Sequence, residues 1–233
     1  SIVVLKRRGH SRTELTPLPI LSSCAKGRRY SPRTKTNRHS SREVSPTFNH
    51  SPHADFQAFD EYLVVKDLPV PVPEPGEALV QVAACGFCHH DMLVMTGVLR
   101  RGVNPGIVLG HELAGRVVEV GDGVTAVGPG DQVVSILTNA CGRCDRCLQG
   151  REHRCRSGVG IGHGRQGGFA EYICVAESSL VSVPADVDLI GAALFACPMG
   201  VALQAVKYLG QVQTGETVVV TGAGGGLGTH AVQ

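Results

Sequence analysis

The sequence predicts a mixed α and β chain, in which a β-rich, barrel-like domain leads into the opening of an α/β domain. Three observations carry this reading. Short apolar runs of strand length recur between Gly and Pro punctuation from residue 78 to residue 175. The apolar period then lengthens towards that of a helix over residues 186–209. Finally, a β-branched run at 217–221 is followed at once by Gly222-Ala223-Gly224-Gly225-Gly226-Leu227-Gly228 and a helix start at 229–233. A strand, a glycine-rich turn and a helix N-terminus form a phosphate-cradling arrangement.

The elements are expected as follows. Order begins near Phe56. Residues 62–66 read as a strand, and Pro69, Pro71, Pro73 and Pro75-Gly76 as an extended connector ending in a turn. Residues 78–84 make a buried strand that delivers Cys85 and Cys88 at its end. Residues 91–96 form a short helix stopped by Gly97. Residues 113–120 set Val118 and Val120 against Arg116 and Glu119, as in another strand. Gly121-Asp122-Gly123 and Gly128-Pro129-Gly130-Asp131 are turns, the second leading into a strand at 132–136. Residues 158–168 are a glycine-rich loop, and 169–175 resume strand character with Cys174 in the core. Over 186–209 the helical pattern is interrupted at Pro198-Met199-Gly200. Cys197 lies at this break, either packed in the core or aimed into a cleft. Residues 217–221 read as a fully buried parallel strand.

Composition narrows the function classes. At 233 residues and 42% hydrophobic content, the chain can bury a core in one or two domains. No apolar run reaches membrane-span length, and no secretory signal is visible. The net charge of +2 hides a split: residues 1–53 hold 11 Lys+Arg against 2 Asp+Glu, and residues 54–233 hold 11 against 18. Residues 1–53 are rich in Arg, Ser, Pro and His without an apolar period, and are read as a basic, disordered extension. An organelle transit peptide is a rival reading, weakened by the prolines. A nucleic-acid-binding arm is another, weakened by the lack of aromatics among the charges. The nine cysteines include four crowded into residues 141–155. That spacing reads as metal binding in a reducing compartment, and so as a cytoplasmic protein.

Chemistry concentrates in two motifs. Cys85-Gly86-Phe87-Cys88-His89-His90-Asp91 is followed by Gly110-His111-Glu112. Thiolate sulfur and neutral imidazole nitrogen are the donors zinc prefers. A carboxylate beside a metal-bound imidazole fixes its tautomer and raises its basicity. Cys88 and His111 are therefore candidate ligands, with Asp91 and Glu112 as supporting acids. The plain alternative is a buried thiol and a satisfied loop histidine. The second motif runs Cys141-Gly142-Arg143-Cys144-Asp145-Arg146-Cys147 and then Cys155. Short gaps let consecutive thiolates wrap one tetrahedral ion, and a longer excursion brings the fourth. Four thiolates quench the Lewis acidity of zinc and leave no open position, so this site is structural. An iron–sulfur cluster is a rival reading, opposed by the long last gap and by Arg156 after Cys155. A nucleic-acid-binding zinc module is another, fed by Arg143, Arg146, Arg151, Arg154 and Arg156, which equally balance the thiolates. In the glycine turn, Gly222, Gly225 and Gly228 keep a variant spacing, because Leu227 stands where the strict dinucleotide pattern needs glycine. A simple tight turn is the alternative there.

Taken together these motifs, with Gly167-Gly168-Phe169-Ala170-Glu171-Tyr172, resemble the zinc-containing medium-chain alcohol dehydrogenases from about Pro69 to Gln233. The resemblance implies a GroES-like β-barrel catalytic domain at 54–197, joined to the start of a Rossmann domain at 198–233. It implies two zinc ions per chain. Cys88, His111 and Cys197 would hold the catalytic one, with Glu112 able to approach the metal. Cys141, Cys144, Cys147 and Cys155 would hold the structural one. Gly222, Gly224, Gly225, Gly226, Leu227 and Gly228 would form the pyrophosphate turn for NAD or NADP. The family reaction converts alcohol plus NAD(P)⁺ to carbonyl plus NAD(P)H, with zinc polarising the oxygen. Many relatives carry Thr or Ser where this chain has His90, and that hydroxyl passes the proton outward. His90 is read as a relay in its place or as a solvated loop residue. Asp91 would orient His111.

The expected partners are a small alcohol or carbonyl and, at full length, further copies of the chain, but neither nucleic acid nor membrane. Two alternatives stay open. One is an enone or acyl-CoA-thioester reductase of the same superfamily, hydrogenating a polarised C=C. The other is a catalytically incomplete zinc-binding fragment, since the chain stops one helix into the expected cofactor domain and should then bind NAD poorly.

Overall fold

The computed structural model describes residues 63–233 in full. Of the earlier residues it describes only the backbone strands β1 (Val3–Arg7), β2 (Leu15–Pro17) and β3 (His50–Phe56). The expectation of a disordered extension at 1–53 otherwise lies outside the described residues. The chain divides into one unit of Asn49–Val201 and another of Ser1–Phe48 with Ala202–Gln233.

Within the first unit, β4 is Val64–Pro69, β5 Glu77–Gly86, α1 His89–Met95, β6 Ile107–Val108, β7 Glu112–Val120 and β8 Gln132–Ser135. They are followed by β9 (Thr138–Asn139), β10 (Val159–Gly160), β11 (Tyr172–Ala176), β12 (Leu180–Ser182) and α2 (Leu189–Ala192). The main sheet is antiparallel and ordered β11-β5-β7-β8-β12. Ala78, Val80, Leu113, Val117, Val133, Ile173 and Val175 alternate into one fully buried cluster. Ala114 and Val134 point the other way, on to Ala192 and Ala193 at the end of α2. Both faces near the start of β7 are therefore covered, which is why four consecutive residues from Glu112 to Gly115 are buried. A third cluster of Val94, Ile107 and Leu109 pins α1.

The expected barrel takes the form of a rolled sheet. Edge strands β11 and β12 are separated by Glu177–Ser179 alone, yet they lie at opposite ends of a five-strand order. Five flat strands would set them roughly 19 Å apart, whereas four Cα steps reach at most about 15 Å. The sheet must therefore curl until its edges approach. Register shifts at Leu79/Val80 and Val82/Ala84 in the β5–β7 pair supply bulges that bend it. No ladder joins the two edges among the described residues, so the barrel is not closed by hydrogen bonds. Leu113 sits at the centre of this core with no exposed surface. Leu113→Ala is expected to cost about 2–5 kcal/mol, read as a lower urea midpoint.

The local expectations shift in explicable ways. The strand expected at 62–66 is β4, starting at Val64, with Tyr62 outside the described residues. The short helix starts at His89 rather than at Asp91, because the Asp91 carboxylate accepts the Cys88 backbone N–H at 2.8 Å and caps the helix two residues earlier. It stops before Gly97, whose φ of 69° is the left-handed conformation of a helix end. The interrupted helix is α2 followed by a π-helical turn over Phe195–Met199 with Pro198 inside it. Proline lacks an N–H to continue an α-helical ladder. The backbone widens instead, with the Met199 N–H donating to the Leu194 carbonyl five residues back at 3.2 Å.

α3 (Gly200–Leu203) begins in the first unit and ends in the other, where a second π-helical stretch, Gln204–Leu209, follows and β13 (Val218–Thr221) precedes α4 (Gly226–Ala231). The expected buried parallel strand is corrected here. β13 pairs antiparallel with β1 in the order β13-β1-β2, and its residues alternate between half-buried and exposed. Parallel pairing needs a crossover of a dozen or more residues and cover on both faces. Among the described residues no second strand of that kind adjoins β13. No helix among them is long and apolar enough to cross a membrane.

Candidate metal centres

Three separate pieces of chain build the first cluster. β5 ends at Gly86, and Cys88 follows at the N-terminus of α1. Asp91, one turn into α1, is 1% exposed. Its Oδ2 holds the Cys88 N–H, and its Oδ1 accepts the Gly110 N–H at 3.3 Å. The same Oδ1 stands 3.4 Å from His111 Nδ1, within ion-pair range though outside hydrogen-bond geometry. One buried carboxylate thus ties the loop before α1 to the residues entering β7. Glu112 begins β7 and is 4% exposed. The approach is close: a Cβ at Gly86 would fall 2.2 Å from Glu112 Oε2, so a larger residue there would displace this carboxylate. Cys197 arrives on the π-helical turn, with its Sγ 3.8 Å from Cys88 Sγ.

Donor atoms of Cys88, His111, Glu112 and Cys197 all lie within 4.8 Å of one another. Two observations show that this set fits a tetrahedral zinc ion. Two sulfurs bound at about 2.3 Å in a tetrahedron stand roughly 3.8 Å apart, as the two thiols do here. His111 Nε2 is buried without a hydrogen-bond partner, a state that buried polar atoms rarely keep. The protonation preferences are divided: Cys88 favours the ligating thiolate, whereas His111, Cys197 and Glu112 favour protonated forms whose protons an ion would displace. The Cys197 side chain, followed by His111, outweighs burial and holds the Cys88 thiol down to about 3, while Cys88 and burial push Cys197 up. Burial disfavours the charged His111 ring, but Asp91 and Cys88 outweigh it and raise the imidazole to about 9. Burial raises Glu112. Cys85 is not part of the cluster: burial pushes its thiol up to about 12, and its Sγ contacts the Gly86 carbonyl at 3.8 Å. Cys174 is likewise a strand residue raised by burial, to about 11.

The second cluster holds Cys141, Cys144, Cys147 and Cys155, again within 4.8 Å. Cys144 Sγ lies 3.5 Å from Cys147 Sγ and 3.8 Å from Cys155 Sγ, and the Cys141 N–H donates to Cys155 Sγ at 3.3 Å. The Arg143 backbone N–H and then the Ser157 hydroxyl lower Cys141 to about 6, and the Arg156 backbone N–H lowers Cys144. Such N–H donors to sulfur favour thiolates. Arg156 forks on to Asp145 at 2.6 and 2.8 Å, and Arg146 stands 3.9 Å from the same carboxylate.

In the glycine turn, Gly222 has φ of 70°, and a Cβ at Gly228 would fall 2.0 Å from the Gly222 carbonyl. Those two positions require glycine. Gly224 and Gly226 face open space, Gly225 donates its N–H to the Gly222 carbonyl at 3.0 Å, and Leu227 is half-buried.

Known proteins are similar to this chain over much of its length. Residues 74–185 match the Alcohol dehydrogenase GroES-like domain. An acryloyl-coenzyme A reductase of Metallosphaera sedula is 39% identical over 169 residues, covering 72% of this chain and 50% of the relative. An S-(hydroxymethyl)glutathione dehydrogenase of Photobacterium damsela is 36% identical, covering 73% and 52%. The solved cobalt- and zinc-bound thermostable alcohol dehydrogenase of Pyrobaculum aerophilum aligns with a TM-score of 0.67 at 31% identity, covering 78% and 55%. Residues 74–185 are a domain of the Alcohol dehydrogenase GroES-like family. The chain spans about half the length of the curated relatives it matches.

His90, the second residue after Cys88, packs beside the first cluster. Its ring lies 4.9 Å from the His111 ring, centroid to centroid. Its Nε2 is 3.1 Å from Nδ1 of His163. Burial, then the charges of His111 and His163, holds His90 below the usual imidazole range. The sequence pattern does not single out His163. It sits in the glycine-rich loop at 158–168, where the only available signal is a lone histidine among glycines. For Asp91, the geometry predicts an orienting role. Asp91→Ala is expected to weaken zinc at the Cys88 cluster about 10–100-fold in chelator competition, leaving the four-cysteine site unchanged.

Proposed function

We propose that this chain carries the zinc-binding part of an oxidoreductase that transfers a hydride between an alcohol or carbonyl and a nicotinamide cofactor. The observation that supports it most is the meeting of Cys88, His111, Glu112 and Cys197 around one point, beside a buried Asp91. Cys88 and Cys197 through sulfur, and His111 through Nε2, would hold zinc, with Glu112 as an exchangeable oxygen donor. Bound there, zinc supplies Lewis acidity towards a substrate oxygen. The side chains of the protein do the rest. Asp91 favours the proton on His111 Nδ1, which leaves Nε2 free to ligate. Phe87 and Phe169 stack with centroids 5.9 Å apart, and Phe87 remains 57% exposed as an apolar surface for a small substrate. His90 is placed to accept a proton near the cluster. Cys141, Cys144, Cys147 and Cys155 would hold a second, structural zinc with no open position.

The glycine turn fits a pyrophosphate in its chemistry: open space over Gly224 and Gly226, backbone forced close by Gly222 and Gly228. On this reading residues 54–197 are the catalytic domain and 198–233 the opening of a Rossmann domain for NAD or NADP. The free thiols suit a reducing compartment, and we read the protein as cytoplasmic. One observation favours a second reading, the reduction of a polarised C=C: the 39% identity to a reductase of that type. Metal analysis with a paired substrate panel separates the two. About two zinc ions per chain and alcohol-dependent NAD(P)H formation by the intact protein support the first. One zinc ion, with NAD(P)H consumed on an enone or enoyl thioester and no alcohol oxidation, would replace it with the second.

A further inference from the structure

The structure assigns a positioning role to His163: we propose that it fixes His90 as the Nε2–H tautomer, leaving Nδ1 as the basic nitrogen of a ring that packs 4.9 Å from the His111 ring. The far end of the pair decides the tautomer. His163 Nε2 stands 2.8 Å from the Arg101 carbonyl oxygen. A carbonyl only accepts, so His163 must carry its proton on Nε2. The neutral ring then has a bare Nδ1, and the atom facing it at 3.1 Å is His90 Nε2. Two bare nitrogens repel, so His90 donates and holds its proton on Nε2.

The anchor for this pair is well built. The Asn104 N–H donates to the His163 carbonyl at 3.2 Å, and Asn104 Nδ2 donates to the Gly164 carbonyl at 2.7 Å. The 97–106 segment and the 158–168 loop are thereby stitched together around the ring. A Cβ at Gly160 would come within 3.1 Å of His163 Cβ, so glycine at that position leaves the room that the His163 side chain occupies. A hydroxyl-bearing side chain at position 90 donates and accepts at one rotatable oxygen. An imidazole divides these roles between two nitrogens and needs a neighbour to say which is which.

The inference rests on the proposed dehydrogenase reading only for the use His90 makes of its Nδ1. Its test needs neither substrate nor turnover, so the two can fail separately. The full chain, loaded with zinc and labelled with ¹⁵N-histidine, is observed by NMR, with His90 assigned by loss of its signals in His90→Gln. The expected spectrum shows His90 almost wholly as the Nε2–H form. His163→Phe should convert it to a tautomer mixture, while His163→Asn, which keeps an acceptor near the place of Nδ1, should retain the Nε2–H form. A His90 that carries its proton on Nδ1 in the unaltered protein overturns the assignment, whatever the variants do. So does an unchanged His90 spectrum in a folded His163→Phe.

Discussion

Cys144→Ala is expected to remove one zinc ion per chain and to lower the thermal midpoint by roughly 10 °C, corresponding to a loss of several kcal/mol at about 2–4 °C per kcal/mol. The reason lies in what the lobe lacks. Across residues 141–158 Cys147 is the one buried residue, and Leu148 is 76% exposed. No apolar cluster of its own is present among the described residues to hold the excursion from Cys141 to Cys155 once the thiolates lose their ion. The surface pair of Arg156 with Asp145 is exposed and contributes little. Hydrogen exchange should locate the damage, with protection lost across the lobe first. Full zinc content with an unchanged midpoint would show that the four sulfurs do not hold this segment together.

The opposite signature is expected at the other cluster. Cys88→Ala should also remove one zinc ion, but it should take turnover by the intact protein to background while moving the midpoint by no more than a few degrees. The fold around Cys88 is fixed by its backbone, through the bond from its N–H to Asp91, and by the buried Val94 on α1. Its sulfur is needed for the donor set alone. With one thiolate gone, His111 and Cys197 would hold an ion weakly, and the proposed polarising centre would be lost. Zinc analysis, melting and a coupled NAD(P)H assay on both variants form one experiment. A stable, active Cys88→Ala beside an inactive, well-folded Cys144→Ala would reverse the division of labour between the sites.

Much of the site is legible in the order of residues. The spacing of Cys141, Cys144, Cys147 and Cys155 constrains four sulfurs to one neighbourhood, because chain closure over two or seven residues leaves few geometries. The strand ends that present Cys88 and His111 follow from apolar runs, and the antiparallel pairing of β5 and β7 brings Gly86 opposite Glu112. The helix break at Pro198 marks where Cys197 stands, but not which way it faces. The run 217–221 misleads, because β-branched composition states that a strand forms and says nothing of its partner or direction. Here the partner is β1, antiparallel.

The sequence on its own determined which donors exist and how they group locally, since covalent spacing over a few residues limits their reach. Tertiary structure alone decided that Cys197 meets Cys88 across 109 residues, and that His163 faces His90 across 73. Those meetings are set by the rolled sheet, by the π-helical widening at Pro198 and by the stitching of two glycine-rich loops. Each depends on packing between distant segments, which no local pattern of residues encodes.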